Sequence, residues 1–299
     1  MINAKPADFD AYWADVDDEL ARYDPAAELE LSPLRSNEFS TMYFVRLTSI
    51  GPYRTFAYLS IPKGPGPFPA LLNTPRYGSV NNPPHYDERQ RYVVMTAMHR
   101  GQRLADKPYA AAYPGLLTDG IEDPHTYVYR GIAADCIRAA EYLISRPEIE
   151  GQPAAIAGDD LAVMTAARCP GFSALRVSAM MFYRTMEAVV RSTAYPLEEV
   201  NEHLNFYPGS RERIAKTVAY FDPLHHASRV NAATLVEQGD TGSLTASEFL
   251  APLLEEFGES AEVYVQTHEG GTDHDAIDAW ISTKLGVHPS PRLWPEAMR

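Results

Sequence analysis

Short apolar runs alternate with longer amphipathic stretches along most of this chain, and that rhythm constrains its fold more than any other feature. Apolar runs at Ala70–Asn73 and Tyr92–Ala97 precede a helical stretch over 126–146. Strand 153–157, helix 160–168 and strand 175–182 follow, then strand 233–237, helix 245–257, strand 261–266 and helix 273–285. Strands that alternate with helices can share a sheet only if the helices carry the chain back across it, so the pattern predicts a mostly parallel, doubly wound sheet. Ahead of it, Thr41–Thr48 and Tyr53–Ile61 flank Gly51-Pro52 and read as an antiparallel hairpin. Phe9, Trp13, Val16 and Leu20 fall on one face of a first helix.

The stretch from about 184 to 222 interrupts the rhythm with helical, aromatic-rich sequence containing Tyr195, Phe206, Tyr207 and Tyr220. It is expected to form a helical insertion over a pocket within one domain spanning 1–299. Composition narrows the partners. With 26 basic and 40 acidic residues the net charge is −14, and no Lys/Arg block could track a phosphate backbone, so nucleic acid is not an expected ligand. The start, MINAKPADFDAYW, shows neither a basic nor an apolar leader, and no run reaches the roughly 20 apolar residues of a membrane span. A cytoplasmic protein is expected. Cys136 and Cys169 both fall in helical sequence and read as buried small hydrophobes, not as a disulfide.

Ala155-Ile156-Ala157-Gly158-Asp159-Asp160-Leu161-Ala162-Val163 has the layout of a strand turning sharply into a helix, where α/β-hydrolases hold a nucleophilic serine in G-x-S-x-G. Here the central position is Asp160, with Asp159 the active carboxylate if the turn shifts by one. Asp240 follows 80 residues later and His268 a further 28, each after an expected strand, in the order nucleophile, acid, histidine. His274 is the second choice for the histidine. The spacing of His268 and His274 fits no common metal site, and residues 273–275 are expected to cap the last helix.

Phe9-Asp10-Ala11-Tyr12-Trp13, Arg100-Gly101-Gln102, Gly120-Ile121-Glu122-Asp123, Tyr127-Val128-Tyr129-Arg130, Asp135, Arg138-Ala139, Tyr220-Phe221-Asp222 and His268-Glu269 together resemble the acetyl xylan esterase and cephalosporin C deacetylase family, carbohydrate esterase family seven. The resemblance implies the α/β-hydrolase fold, a Ser-Asp-His triad acting on small O-acetyl esters, and a homo-oligomer. Two of the triad positions are matched, and the serine is not. The family's oxyanion donors map onto the backbone N–H groups of Tyr77 and Leu161. Arg76 stands where a glycine precedes the tyrosine, and Gln102, in the Arg-Gly-Gln element, is a further candidate for binding the substrate.

Without the serine, three chemistries remain. Asp160 could be an alkylated nucleophile, as in haloalkane dehalogenases, but Trp13, Trp280 and Trp294 lie outside the expected insertion and leave no halide clamp. Asp160 or His268 could instead abstract a proton α to a carbonyl and expel acetate. That reading resembles the acetate-eliminating enzymes of tetronate polyketide biosynthesis, and Arg76 would meet an acidic substrate. The third possibility is a non-catalytic relative that binds a small ligand or a protein. Elimination of acetate from an O-acetylated small molecule is the expected activity, with ester hydrolysis as the alternative. Neither needs a cofactor or metal.

Overall fold

The computed structural model describes residues 4–178, 180–239 and 243–291. Among these described residues nine strands form one sheet in the order β1-β2-β3-β5-β4-β6-β7-β8-β9. These are β1 (Glu28–Leu31), β2 (Ser40–Ser49), β3 (Tyr53–Pro62), β4 (Ala70–Asn73), β5 (Val93–Met98), β6 (Ala154–Gly158), β7 (Ala174–Val177), β8 (Ala233–Gln238) and β9 (Ala261–Val265). The first three pair antiparallel and β3 pairs antiparallel with β5, while every pairing from β5 through β9 is parallel. This is the mostly parallel sheet that the strand–helix alternation predicts, in the α/β-hydrolase arrangement that the family resemblance implies.

The period of two decides which residue faces which layer. Ala70 and Leu72 of β4, Val93 and Met95 of β5, and Ala154 and Ile156 of β6 join the large core on one side. That side is covered by α1 (Phe9–Ala21), α2 (Val128–Ile144), α3 (Asp160–Arg168) and α7 (Ser247–Phe257). Leu71, Tyr92, Val94, Ala155 and Ala157 face the other way, against Ile277, Ile281 and Leu285 of α8 (Gly270–Lys284) and the turn after it. Between β7 and β8 lie α4 (Thr185–Arg191), α5 (Glu198–Phe206) and α6 (Arg211–Val218).

Three features go beyond the sequence pattern. The strand expected over 175–182 ends at Val177, because the amides of Met181 and Phe182 donate to a side-chain carboxylate and not to a neighbouring strand. Residues Glu28–Leu31 add an exposed edge strand that their composition does not announce. In His225-His226 one imidazole is buried: His226 packs edge-on against Phe9 and Trp13. Burial pushes its pKa down to about 3 and keeps it neutral. Cys136 is buried, Cys169 partly so, and both are free thiols.

Candidate active site

One residue, Asp159, separates the last residue of β6 from the first of α3. Its carboxylate accepts the Leu161 N–H at 3.0 Å and so caps the helix. Gly158 precedes it because a Cβ there would collide with the Thr74 hydroxyl. Asp160, expected at the centre of this turn, is instead the first helical residue and is 0% exposed. It accepts the N–H groups of Met181 at 2.6 Å and Phe182 at 3.0 Å. The register moves by one for a local reason: an aspartate just before a helix satisfies one of its orphan amides, so the helix starts at the second aspartate.

Both carboxyls sit out of water, which disfavours their charged forms. Burial pushes Asp159 up to about 6 against the opposing pull of the Leu161 N–H and the Arg76 guanidinium. Asp160 is pushed up further, by burial and then by the neighbouring Asp159, despite its two amide bonds. The less perturbed acid is therefore the one at the turn, facing Arg76.

Parallel strands are usually joined by a helix, yet the stretch 74–92 between β4 and β5 holds only a single 3₁₀ turn, Glu88–Gln90. The sheet face beneath is left open as a cleft of about 550 Å³, running from Thr74, Arg76 and Gly158 at the carboxyl edge to Ile277 and Asp278 of α8. Arg76 is exposed at its mouth. Gln102, expected at the substrate, is fully buried and acts as a brace: its amide donates to the carbonyls of Arg76 at 3.0 Å and Gly78 at 2.7 Å, while its oxygen accepts the His99 N–H at 3.1 Å. Tyr77 donates its phenol to Glu199 of α5 and packs against Tyr113 and Tyr195. Among the described residues no hydrogen bond engages the Tyr77 N–H, whereas the Leu161 N–H is committed to Asp159.

At the late strands, Asp240 lies outside the described residues. His268 follows β9 on an exposed turn with φ 61°. The turn is held by Asp273, which accepts the Tyr264 hydroxyl at 2.6 Å and the Thr267 N–H and hydroxyl at 2.9 and 2.8 Å. His274, not His268, lines the cleft, beside an Arg176–Glu237 ion pair whose glutamate also accepts Gln266 at 2.7 Å. Sequence reasoning missed that pair, although a lone Arg in Ala-Leu-Arg-Val and a lone Glu after Leu-Val are the polar interruptions that mark strand ends at a site. Among the described residues no group of three His, Cys, Asp or Glu is placed to hold a metal ion. Nor is any helix among them long and apolar enough to cross a membrane.

The Arg-Gly-Gln and Tyr-x-Tyr-Arg elements turn out to be scaffolding. Arg100 forms a buried ion pair with Asp135 of α2 at 2.8 Å. Arg130 pairs with Asp15 and Glu19 of α1.

Fold and site together define an α/β-hydrolase-fold protein whose elbow carries carboxylates. The sequence model of the acetyl xylan esterase (AXE1) family matches residues 1–248, and the chain belongs to that family. The acetyl esterase Axe7A of Xylanibacter ruminicola is 22% identical over 250 residues, 78% of this chain and 56% of that protein, so the chain spans little more than half its length. Among solved structures, the acetyl xylan esterase from Paenibacillus sp. R4 superposes with a TM-score of 0.81 at 22% identity, covering 95% of this chain and 96% of that one. Acetyl xylan esterase 1 from Thermoanaerobacterium sp. JW/SL YS485 gives 0.80 at 19% identity, with 95% of both chains covered.

Proposed function

We propose that this protein hydrolyses small acetyl esters without an acyl-enzyme on serine. Asp159 acts as the general base on water, and the alcohol part of the ester lies in the open cleft. The observation that carries the proposal is the single elbow residue between β6 and α3: a nearly buried carboxylate with a pKa near 6, beside Arg76, in a family of acetyl esterases. A base must be ionised to take the proton, so kcat/KM should rise with pH up to about 6 and level off above. Arg76 lowers the pKa of Asp159 and would face the oxyanion from the mouth of the cleft, with the Tyr77 N–H as a second donor. Arg76→Ala should therefore move the acid limb of the profile to higher pH. His268 and Asp240, which follow β9 and β8, are the proposed partners for passing the proton to the leaving alcohol.

The hydrolytic reading takes precedence over acetate elimination because the family and the relatives are acetyl esterases; an acetylated sugar of the xylan type is the first substrate to try. The test is turnover of such an ester, and of an aryl acetate, in oxygen-18 water. Acetate carrying one oxygen-18, with an unlabelled protein after a single turnover, supports water activated by Asp159. Label appearing in Asp159 would make it a nucleophile. Unlabelled acetate with an alkene product would establish elimination, and no turnover of any acetyl ester would end the enzymatic reading.

A further inference from the structure

The chain leaves β7 at Val177 and enters α4 at Thr185, and the described residues between 180 and 184 belong to no helix or strand. Their amides are held by side chains. Asp160, at the start of α3, accepts from Met181 and Phe182. Asp222, which is 1% exposed, accepts the Arg184 N–H at 3.0 Å on one oxygen and the Leu224 N–H at 3.0 Å on the other. Arg184 and Leu224 flank the three helices α4–α6, so this one carboxyl ties their beginning to their end. The tie also holds strain: Arg184 has φ 51°, the left-handed region that a non-glycine residue occupies only when its surroundings impose it.

The same helices reach the site. Glu199 of α5 accepts the Tyr77 phenol and the Leu117 N–H at 3.0 Å, and the Tyr195 ring lies 5.4 Å from that of Tyr77. Tyr77 follows Arg76 in the loop at the mouth of the cleft.

We propose that Asp160 and Asp222 are positioning residues, a two-carboxyl clamp that fixes the root of the α4–α6 segment and thereby sets Tyr195 and Glu199 against the loop carrying Arg76 and Tyr77. Neither residue touches the reacting atoms. The segment's roots lack ladder hydrogen bonds, and an amide donor buried without a partner costs more than the bond itself is worth, so these acids decide where the segment sits.

The clamp is tested by amide hydrogen exchange on the full chain. Asp160→Asn and Asp222→Asn each keep one carbonyl oxygen but turn an NH₂ group toward an N–H. In the folded variants, exchange at Met181 and Phe182 (for Asp160→Asn), or at Arg184 and Leu224 (for Asp222→Asn), should quicken at least tenfold while amides of β4, β5 and β6 stay unchanged. Steady-state kinetics of Asp222→Asn on a bulky acetyl ester should show KM raised several-fold with kcat within about twofold. Only this kinetic readout rests on the hydrolase reading, and the exchange data decide the clamp even if no ester is turned over. Unchanged exchange at the four amides, or a uniform rise that includes the central strands, would overturn the proposal. Should Asp160→Asn fail to fold, Asp222→Asn carries the test alone.

Discussion

Adjacent aspartates at the head of one helix do different work because their partners differ. Asp159 receives one amide and faces a guanidinium; Asp160 receives two amides and faces the interior. Asp160→Ala strands two buried donors and should cost about 2–4 kcal/mol of unfolding free energy in a denaturant titration. Asp159→Asn keeps a good helix cap and should cost under ~1 kcal/mol, while activity falls by about 10²–10⁴. The reverse pattern would return the reacting role to Asp160. Asp222 offers a separate check through pH. Burial raises its pKa to about 7, above the value of about 3.9 expected when unfolded, so the native state binds its proton more tightly. Its contribution is fully present below pH 4 and is lost as pH rises through 7, on the order of 4 kcal/mol. His226 works in the opposite sense: its contribution stands above pH 6.5 and is lost as pH falls toward 3. From pH 4 to 6.5 the two slopes oppose each other, so the check is a difference: the stability lost on Asp222→Asn, measured at each pH from 4 to 8, should decline through the Asp222 window.

Elements whose residues answer only to their own periodicity were legible in the sequence. Helix 160–168 and strand Ala70–Asn73 match residue for residue, and the four apolar positions of α1 are all buried. Where a distant group intervenes, the pattern misleads, as where Asp160 takes the amides that would have lengthened β7. The Arg-Gly-Gln element shows the same limit, since its residues were visible but their work was not. Arg100 lies over Gly131, where a Cβ would collide with its guanidinium, and joins β5 to α2 through Asp135. Arg100→Leu leaves Asp135 as an uncompensated buried charge and should cost about 3–5 kcal/mol by calorimetry. Adding Asp135→Leu should recover most of that loss, whereas equal loss in single and double variants would mean that the pair is merely incidental to packing.

For the whole molecule, fold class followed from strand–helix alternation, because parallel pairing requires crossovers and their lengths are written in the chain, whereas the strand order was not legible. The site followed less completely. The one-residue shift at the elbow depends on a capping bond, and the cleft depends on the helix that 74–92 does not make, which no motif reports. Val80, half exposed on the wall of that cleft, gives access to its role. Val80→Trp should raise KM several-fold for a bulky acetyl ester and leave methyl acetate unaffected, whereas equal effects on both would place the alcohol elsewhere. On the proposed hydrolytic reading, selectivity is gained by subtraction. One short crossover turns a wall of the scaffold into a trough, and restoring a single turn of helix over residues 80–88 should narrow the range of alcohols accepted, with no change to the carboxylates at the elbow.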